Sequence, residues 1–424
     1  MMYPEVDIKQ KTVMVIDFGN YIGVARRLSK EFGRVLYYSP YVINGFPEHN
    51  PVDIGRGVTE IIKVQDFEDY IEETDLFVFP DLYFKGLQRY LRRIGKLVYG
   101  SGDAQVMETD RGYMKMLQKE LGLPTNPYEE VEGIYELEER LKVLEYKFIK
   151  SSLRGDSETF KHINYVLSKD ELKGMKHRMG IFDKKEKYLI EDKIESIAEV
   201  GIDTETADGK YLDVSLTGIE LKDIGFYGRM LSYSTLPKQI KDVTDKLSPI
   251  FENFGYRGPY SNEIRIDKKL DGYLIDQTCR MPSPPTSLKM LMYENYGEIL
   301  WTIACGEIPK VKYRFSHGVQ FIIKSELAKT EPIAIQFPEE FKENIDIKNL
   351  VIDDDGTYYY TPNGVAMCEI ASVSAVGHSM EQAVKKATEI AEQVKGFDIC
   401  INTDCIEDAK NQIKELNKNG IRYL

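Results

Sequence analysis

The chain has 424 residues and a formal net charge of −13, from 56 Lys and Arg against 69 Asp and Glu. Hydrophobic residues make up 42% and charged residues 29%, which excludes a disordered chain and suits a globular protein of roughly two to four domains. The acidic balance excludes a broad, sequence-independent nucleic-acid surface, although a few placed cations can still hold a phosphate.

The five cysteines are odd in number and form no CxxC pair, so neither a zinc site nor a disulfide framework is expected. The opening MMYPEVDIKQK lacks an apolar signal core, and no run of 18 apolar residues occurs. A cytoplasmic chain is therefore expected, neither secreted nor membrane-bound.

In chain order, the run TVMVI at Thr12–Ile16 reads as a buried strand, followed by a turn at Asp17, Gly19 and Asn20 and a helix through Val24, Leu28 and Phe32. Further strands are expected at 34–38, 76–79 and 96–99. Strands alternating with helical stretches predict a doubly wound, parallel α/β domain. The turn DFGNYIG lacks the GxGxxG spacing of a dinucleotide fingerprint. Helices are expected over 105–121 and 134–143, a strand over 146–149, the polar loop SSLRGDSETF, a helix over 168–179 and a strand at 188–190. Strands at 199–203 and 211–216 flank Asp208-Gly209, a strong hairpin signal. An amphipathic helix over 239–254 precedes strands at 262–266 and 273–276, joined by a charged turn with Asp271-Gly272. A helical stretch over 288–305 follows. Strands are then expected at 319–323, 333–337, 356–360 and 366–376, and helices over 379–394 and 405–416.

The chemistry concentrates in a few segments. Glu263 and Asp276 lie on the two strands of one hairpin, which can bring both carboxylates to one end of a sheet. Such a pair of hard oxygen ligands suits Mg²⁺ (or Mn²⁺) bridged to substrate phosphates. Arg280 follows in an extended, proline-rich segment. Lys150 ends a strand and opens a polar loop with Arg154 and Gly155, a fair phosphate grip. Arg111 adds a cation at a helix start. The segment IEDKI could read an adenine edge through its backbone, and Glu199 could accept from a ribose hydroxyl. The histidines pair with no nucleophile and read as structural or surface residues.

The order of these parts, from METDRGYMKMLQKELGLPT through YKFIKSSLRGDSETF and YLIEDKI to EIRID(x)₆LIDQTCRMPSPP, resembles the ATP-grasp ligases. Within them it is similar to the glycinamide ribonucleotide synthetases (phosphoribosylamine–glycine ligases). The tail EIASVSAVGHSMEQAVKKATEIAEQV resembles that family's small C-terminal domain. The resemblance implies four parts: an N-terminal α/β domain over 1–104, the small lobe of the nucleotide clamp over 105–190, its large lobe with the metal site over 191–310, and a small α+β domain over 311–424. It implies ATP and Mg²⁺ as cofactors and a purine-biosynthesis-like C–N ligation through an acyl phosphate.

By position, the resemblance gives Arg111 and Lys150 to the nucleotide phosphates and Arg154 and Gly155 to a covering loop. It gives Glu191, Asp192 and Ile194 to the adenine hinge. Glu199 stands near the ribose-binding acid, with a hinge one residue longer. Glu263, Asp276 and Thr278 match the metal-binding set, and Arg280 the active-site arginine. Asp276 replaces the family's Glu, Thr278 its Asn and Arg111 its Lys. The implied partners are a small carboxylate such as glycine and a small amine, acted on by a monomer or homodimer. Two alternatives stay open: a nucleotide-binding chain without ligase activity, and an unrelated α/β enzyme whose first domain binds a dinucleotide.

Overall fold

The computed structural model describes residues 6–40, 53–151, 159–221, 224–364, 367–404 and 406–423. The first 100 residues build a five-stranded parallel sheet in the order Ile62–Lys63, Arg34–Tyr38, Thr12–Ile16, Leu76–Val78, Leu97–Tyr99. Its helices cover both faces, which explains the unbroken apolar run TVMVI. Val13 and Val15 pack with helix Ile22–Leu28 on one side. Met14 and Ile16 pack with Leu91 of helix Lys85–Arg93 on the other.

The expected helix over 105–121 is broken. Asp110 is extended (φ −114°, ψ 95°) and ends helix Val106–Thr109. Its carboxylate then caps Arg111–Glu120 by accepting from the Tyr113 amide at 2.9 Å, as an N-cap aspartate does. The stretch 288–305 likewise divides into Thr286–Met292 and Tyr296–Ala304.

A four-stranded antiparallel sheet, ordered Tyr128–Glu132, Lys187–Asp192, Lys147–Ser151, Thr159–His162, carries its own small core under helices Ile134–Leu141 and Tyr165–Met179. Buried His162 bonds to the Ser168 hydroxyl and the Leu144 carbonyl, a structural role.

The largest sheet is antiparallel along Gly272–Thr278, Arg257–Asp267, Ser196–Ala207, Val214–Leu221, Gly225–Ser232, His317–Lys324, Glu369–Gly377 and Ile345–Ile347. It runs without a break across residue 310. Asp208 (φ 50°) and Gly209 (φ 82°) form the expected two-residue turn between Ala207 and Lys210. In the 268–271 connection the positive φ falls on Leu270 (69°), before the Asp271-Gly272 pair. Strand Gly225–Ser232 was not expected from the sequence, yet it is central to this sheet. Among the described residues, no helix is long and apolar enough to cross a membrane.

Candidate functional site

The hairpin of Arg257–Asp267 and Gly272–Thr278 sets the geometry. Glu263 stands directly opposite Asp276, and Ser261 opposite Thr278. Alternation along the strand places Asp276 and Thr278 on one face. Beyond Asp276 the register shifts, so that Ile264 faces Leu274. Ile275 is therefore the extra residue of a bulge, a device that re-aims neighbouring groups. Its carbonyl accepts from Lys150 Nζ at 2.9 Å, which ties the four-stranded lobe to the hairpin.

Three cations converge here. The 3.6-residue period of helix Arg111–Glu120 puts Arg111 and Lys115 on one face. Arg111 Nη1 donates to Asp276 Oδ1 at 2.7 Å. Lys115 and Lys150 flank Glu191 at 3.2 and 3.6 Å. Burial alone would push the Asp276 carboxyl up, but the Arg111 guanidinium and the Lys150 ammonium hold it below its ordinary value. Burial acts on Glu191 in the same way, and Lys150 and Lys115 again reverse it. Lys115 is itself lowered by burial. Glu191 thus serves through its side chain as the counter-ion of two lysines. Asn126 braces the segment, donating to the Asp192 carbonyl at 2.8 Å. The Asp192 carboxylate pairs with Lys147. Ile194 lies half-buried in the 193–195 connection. Arg154 and Gly155 lie outside the described residues.

Beside the cations runs a row of acids. Register places Gly201 between Glu263 and Gly218, which brings Glu199, Glu220 and Glu263 to one sheet face. They line a cavity of about 20 Å³ together with Asp203. Glu263 stands beside both Glu220 and Glu199. Burial, then the neighbouring carboxylates, pushes Glu263 well above the usual range and Glu220 up to about 8. Burial also lifts Asp203 to about 7. Glu199 pairs with Arg265 at 2.8 Å. Like charges held this close are relieved by a cation, so the donor set fits a hard divalent ion. Among the described residues no three His, Cys, Asp or Glu side chains converge tightly enough to hold a metal alone. Mg²⁺ commonly takes only one or two carboxylates, with waters and phosphates completing its shell.

Past Thr278 the chain turns toward the first domain. Arg280 Nε donates to Glu108 Oε1 at 3.0 Å, and Glu108 Oε2 accepts from the buried Cys279 amide at 2.8 Å. Arg280 also reaches the Tyr21 hydroxyl at 3.4 Å and stands 3.9 Å from Asp81. Burial pushes Glu108 up to about 7 against the pull of Arg280.

The structure thus brings Arg111, Lys150, Glu191 and Asp276 together, with Glu263 opposite Asp276 and Arg280 beyond the strand end. Sequence reasoning missed Lys115, Glu108 and Glu220. Lys115 was within reach, being one helical turn from Arg111. Glu108 and Glu220 meet the site only through long-range packing.

No protein-family model matches the chain, and no curated protein matches it by sequence. Solved structures do match by shape. Phosphoribosylamine–glycine ligase from Thermotoga maritima superposes with a TM-score of 0.69 at 18% identity, over 93% of this chain and 99% of that one. The biotin carboxylase domain of 2-oxoglutarate carboxylase from Hydrogenobacter thermophilus, a dimer crystallised with MgADP and bicarbonate, gives 0.67 at 15% identity, over 97% and 98%. N5-carboxyaminoimidazole ribonucleotide synthetase from Thermotoga maritima gives 0.61 at 14%, over 91% and 99%. With a parallel N-terminal sheet, two antiparallel sheets facing across the site and these matches along nearly its whole length, the chain has the ATP-grasp fold.

Proposed function

We propose that the chain is an ATP-dependent carboxylate–amine ligase that forms ADP through an acyl phosphate. It joins an amino acid such as glycine to a small amine. The observation that carries this reading is the convergence of Arg111 and Lys150 on the hairpin that sets Glu263 against Asp276.

In the first step a carboxylate oxygen of the acid attacks the γ-phosphorus of ATP, and the bond to the ADP oxygen breaks. In the second step the amine nitrogen attacks the acyl carbon, the bond to the phosphate oxygen breaks, and the nitrogen gives up a proton. Glu263 and Asp276 would hold Mg²⁺ (or Mn²⁺), which supplies positive charge against the phosphates. Lys150 and Arg111 add charge on the other side, where placement and electrostatics do most of the work. Arg280 would orient the acid. Glu108, poised near neutrality beside it, would take the amine's proton. Asp192 and Ile194 would meet the adenine, Glu199 the ribose and Thr278 the metal's shell, with Arg154 and Gly155 covering the phosphates. A cytoplasmic monomer or homodimer goes with this reading.

The test is an ADP-release screen of amino acids against amine acceptors, with mass detection of the product. ADP release that needs both an acid and an amine supports the ligase. The Arg111–Asp276 pair favours one second reading, a nucleotide-binding chain without ligase activity, because it occupies a metal-binding acid. Stabilisation by Mg–ATP without ADP release from any pair would select it.

A further inference from the structure

A cavity of about 140 Å³ lies between helix Ile22–Leu28, helix Thr286–Met292, the turn that ends at Asn344, and the strands Ile345–Ile347 and Glu369–Gly377. Among the described residues it shares no lining group with the hairpin site or with the acid-lined cavity. A void of this size holds a molecule of about six non-hydrogen atoms, and polar walls call for a polar occupant. Register turns polar groups of the sheet into it. Ser374 stands opposite Gln320, whose Oε1 accepts from the Leu288 amide at 3.3 Å, so this sheet face looks at helix Thr286–Met292. Asp346 stands opposite Ser372, on the same face by alternation, and its Oδ2 accepts from the Ser287 hydroxyl at 2.6 Å.

Two polar groups on these walls are unsatisfied. Ser374 is 1% exposed, yet its hydroxyl has no hydrogen-bond partner among the described residues. Arg26 Nε, on the facing helix, has none either. The wall charges are balanced. Arg27 is already engaged by Glu31 and by the carbonyls of Met290, Tyr293 and Glu294. That leaves Arg26, Lys30 and Lys342 against Glu60, Glu343 and Asp346. Lys30 pairs with Glu343 at the exposed rim. Arg26 and Lys342 share the one carboxylate of Glu60, at 3.4 and 3.1 Å. Asp346 forms no ion pair among the described residues, and burial holds its carboxyl above its ordinary value against the Ser287 hydroxyl, Arg26 and Lys348. The cavity thus offers a cation with an unused donor on one wall and an acid without an ion pair on its floor.

We infer that this cavity is a second small-molecule site, for a zwitterion of the size of a small α-amino acid, whose carboxylate meets Arg26 and Ser374 and whose ammonium meets Asp346. A plain anion would face Asp346 uncompensated, and a plain cation would face Arg26. The inference goes beyond the ligase reading and needs no turnover.

Three probes that match in size and differ in one charged group test it: L-alanine, L-lactate, which lacks the ammonium, and L-alaninamide, which lacks the carboxylate. Their binding to the full chain is measured by calorimetry at neutral pH without nucleotide. The expected result is saturable binding of L-alanine, at least about tenfold tighter than that of either other probe. Leu291→Trp, which fills the cavity from its wall, should abolish it. Arg26→Met should bring L-alanine down to the level of L-alaninamide, and Asp346→Asn down to the level of L-lactate, with the fold of each variant checked by circular dichroism. No binding of L-alanine would overturn the inference, as would equal binding of either other probe. So would L-alanine binding that ignores both Arg26→Met and Asp346→Asn. Binding that survives Leu291→Trp and is lost in Arg280→Met would also overturn it, while supporting an amino acid at the proposed ligase site.

Discussion

Asp17 makes a sharp test of the first domain. Its carboxyl titrates at 3.8 when exposed, and burial pushes it up to about 6 against the pull of the Tyr21 amide and the Tyr37 hydroxyl. A carboxyl whose folded value lies above its unfolded value contributes stability that is complete below pH 3.8 and lost as pH rises through 6. At about 1.36 kcal/mol per pH unit, a gap of about 2.2 units is worth about 3 kcal/mol above that window. Asp17→Asn keeps an acceptor for the Gly19 and Tyr21 amides and removes the charge. The variant should therefore be more stable than the parent by up to about 3 kcal/mol at pH 8, and the gain should vanish near pH 4. At roughly 2–4 °C per kcal/mol this is several degrees in the thermal midpoint. The assay is thermal unfolding of both chains from pH 4 to 8. A variant less stable than the parent at pH 8 would show that the three donors outweigh desolvation, and the reasoning would fail.

Other outcomes follow from single contacts. Lys289 and Glu205 form an ion pair that is 2% and 1% exposed, with Tyr99 also donating to Glu205; Lys289→Met should cost about 3–5 kcal/mol by stranding a buried carboxylate, read by chemical unfolding. On the proposed ligase reading, Asp276→Asn should abolish Mg-dependent ATP turnover and leave the circular dichroism unchanged, since the amide oxygen can still accept from Arg111; unchanged turnover would remove Asp276 from the proposed metal site. Gly19→Ala combines a strained φ with overlap on Asn349 and Ile54, and should destabilise by about 1–3 kcal/mol in the same unfolding assay.

What the sequence revealed depended on how locally each feature is encoded. The Glu263–Asp276 pairing was legible because one hairpin contains it, and Arg280 because it follows four residues later. Glu108 was not, since its contact with Arg280 spans 172 residues. Glu220 was hidden for a related reason: its place beside Glu263 comes from the register of Ser196–Ala207 between two other strands. The strand GFYGRMLS carries two glycines, which weaken a strand signal. In the sheet Gly228 stands opposite Gly218, and the Phe226 ring covers them, so close that a Cβ on Gly218 would meet it at 2.0 Å. The aromatic ring makes up what the glycines lack, a compensation that only the paired strands display.

The charges at the hairpin also explain why Arg111 sits on Asp276. Acids and cations both crowd this place: Glu199, Glu220 and Glu263 share a sheet face on which burial and one another's proximity favour the protonated forms of Glu220 and Glu263, while Arg111, Lys115 and Lys150 crowd the adjoining lobe. Without substrate the two halves meet across Arg111–Asp276, while Glu191, on the cations' own lobe, neutralises Lys115 and Lys150. On the proposed reading, a metal–nucleotide complex carries both complements at once, a cation for the acids and phosphates for the cations. Asp276 would then exchange a guanidinium for a metal, and Arg111 a carboxylate for a phosphate. Each keeps a charged partner throughout, so neither is left buried and unpaired, which is the costly state for such groups. The ion pair therefore need not block the site: the same charge complementarity that holds it closed is what a metal–nucleotide complex would satisfy on entering.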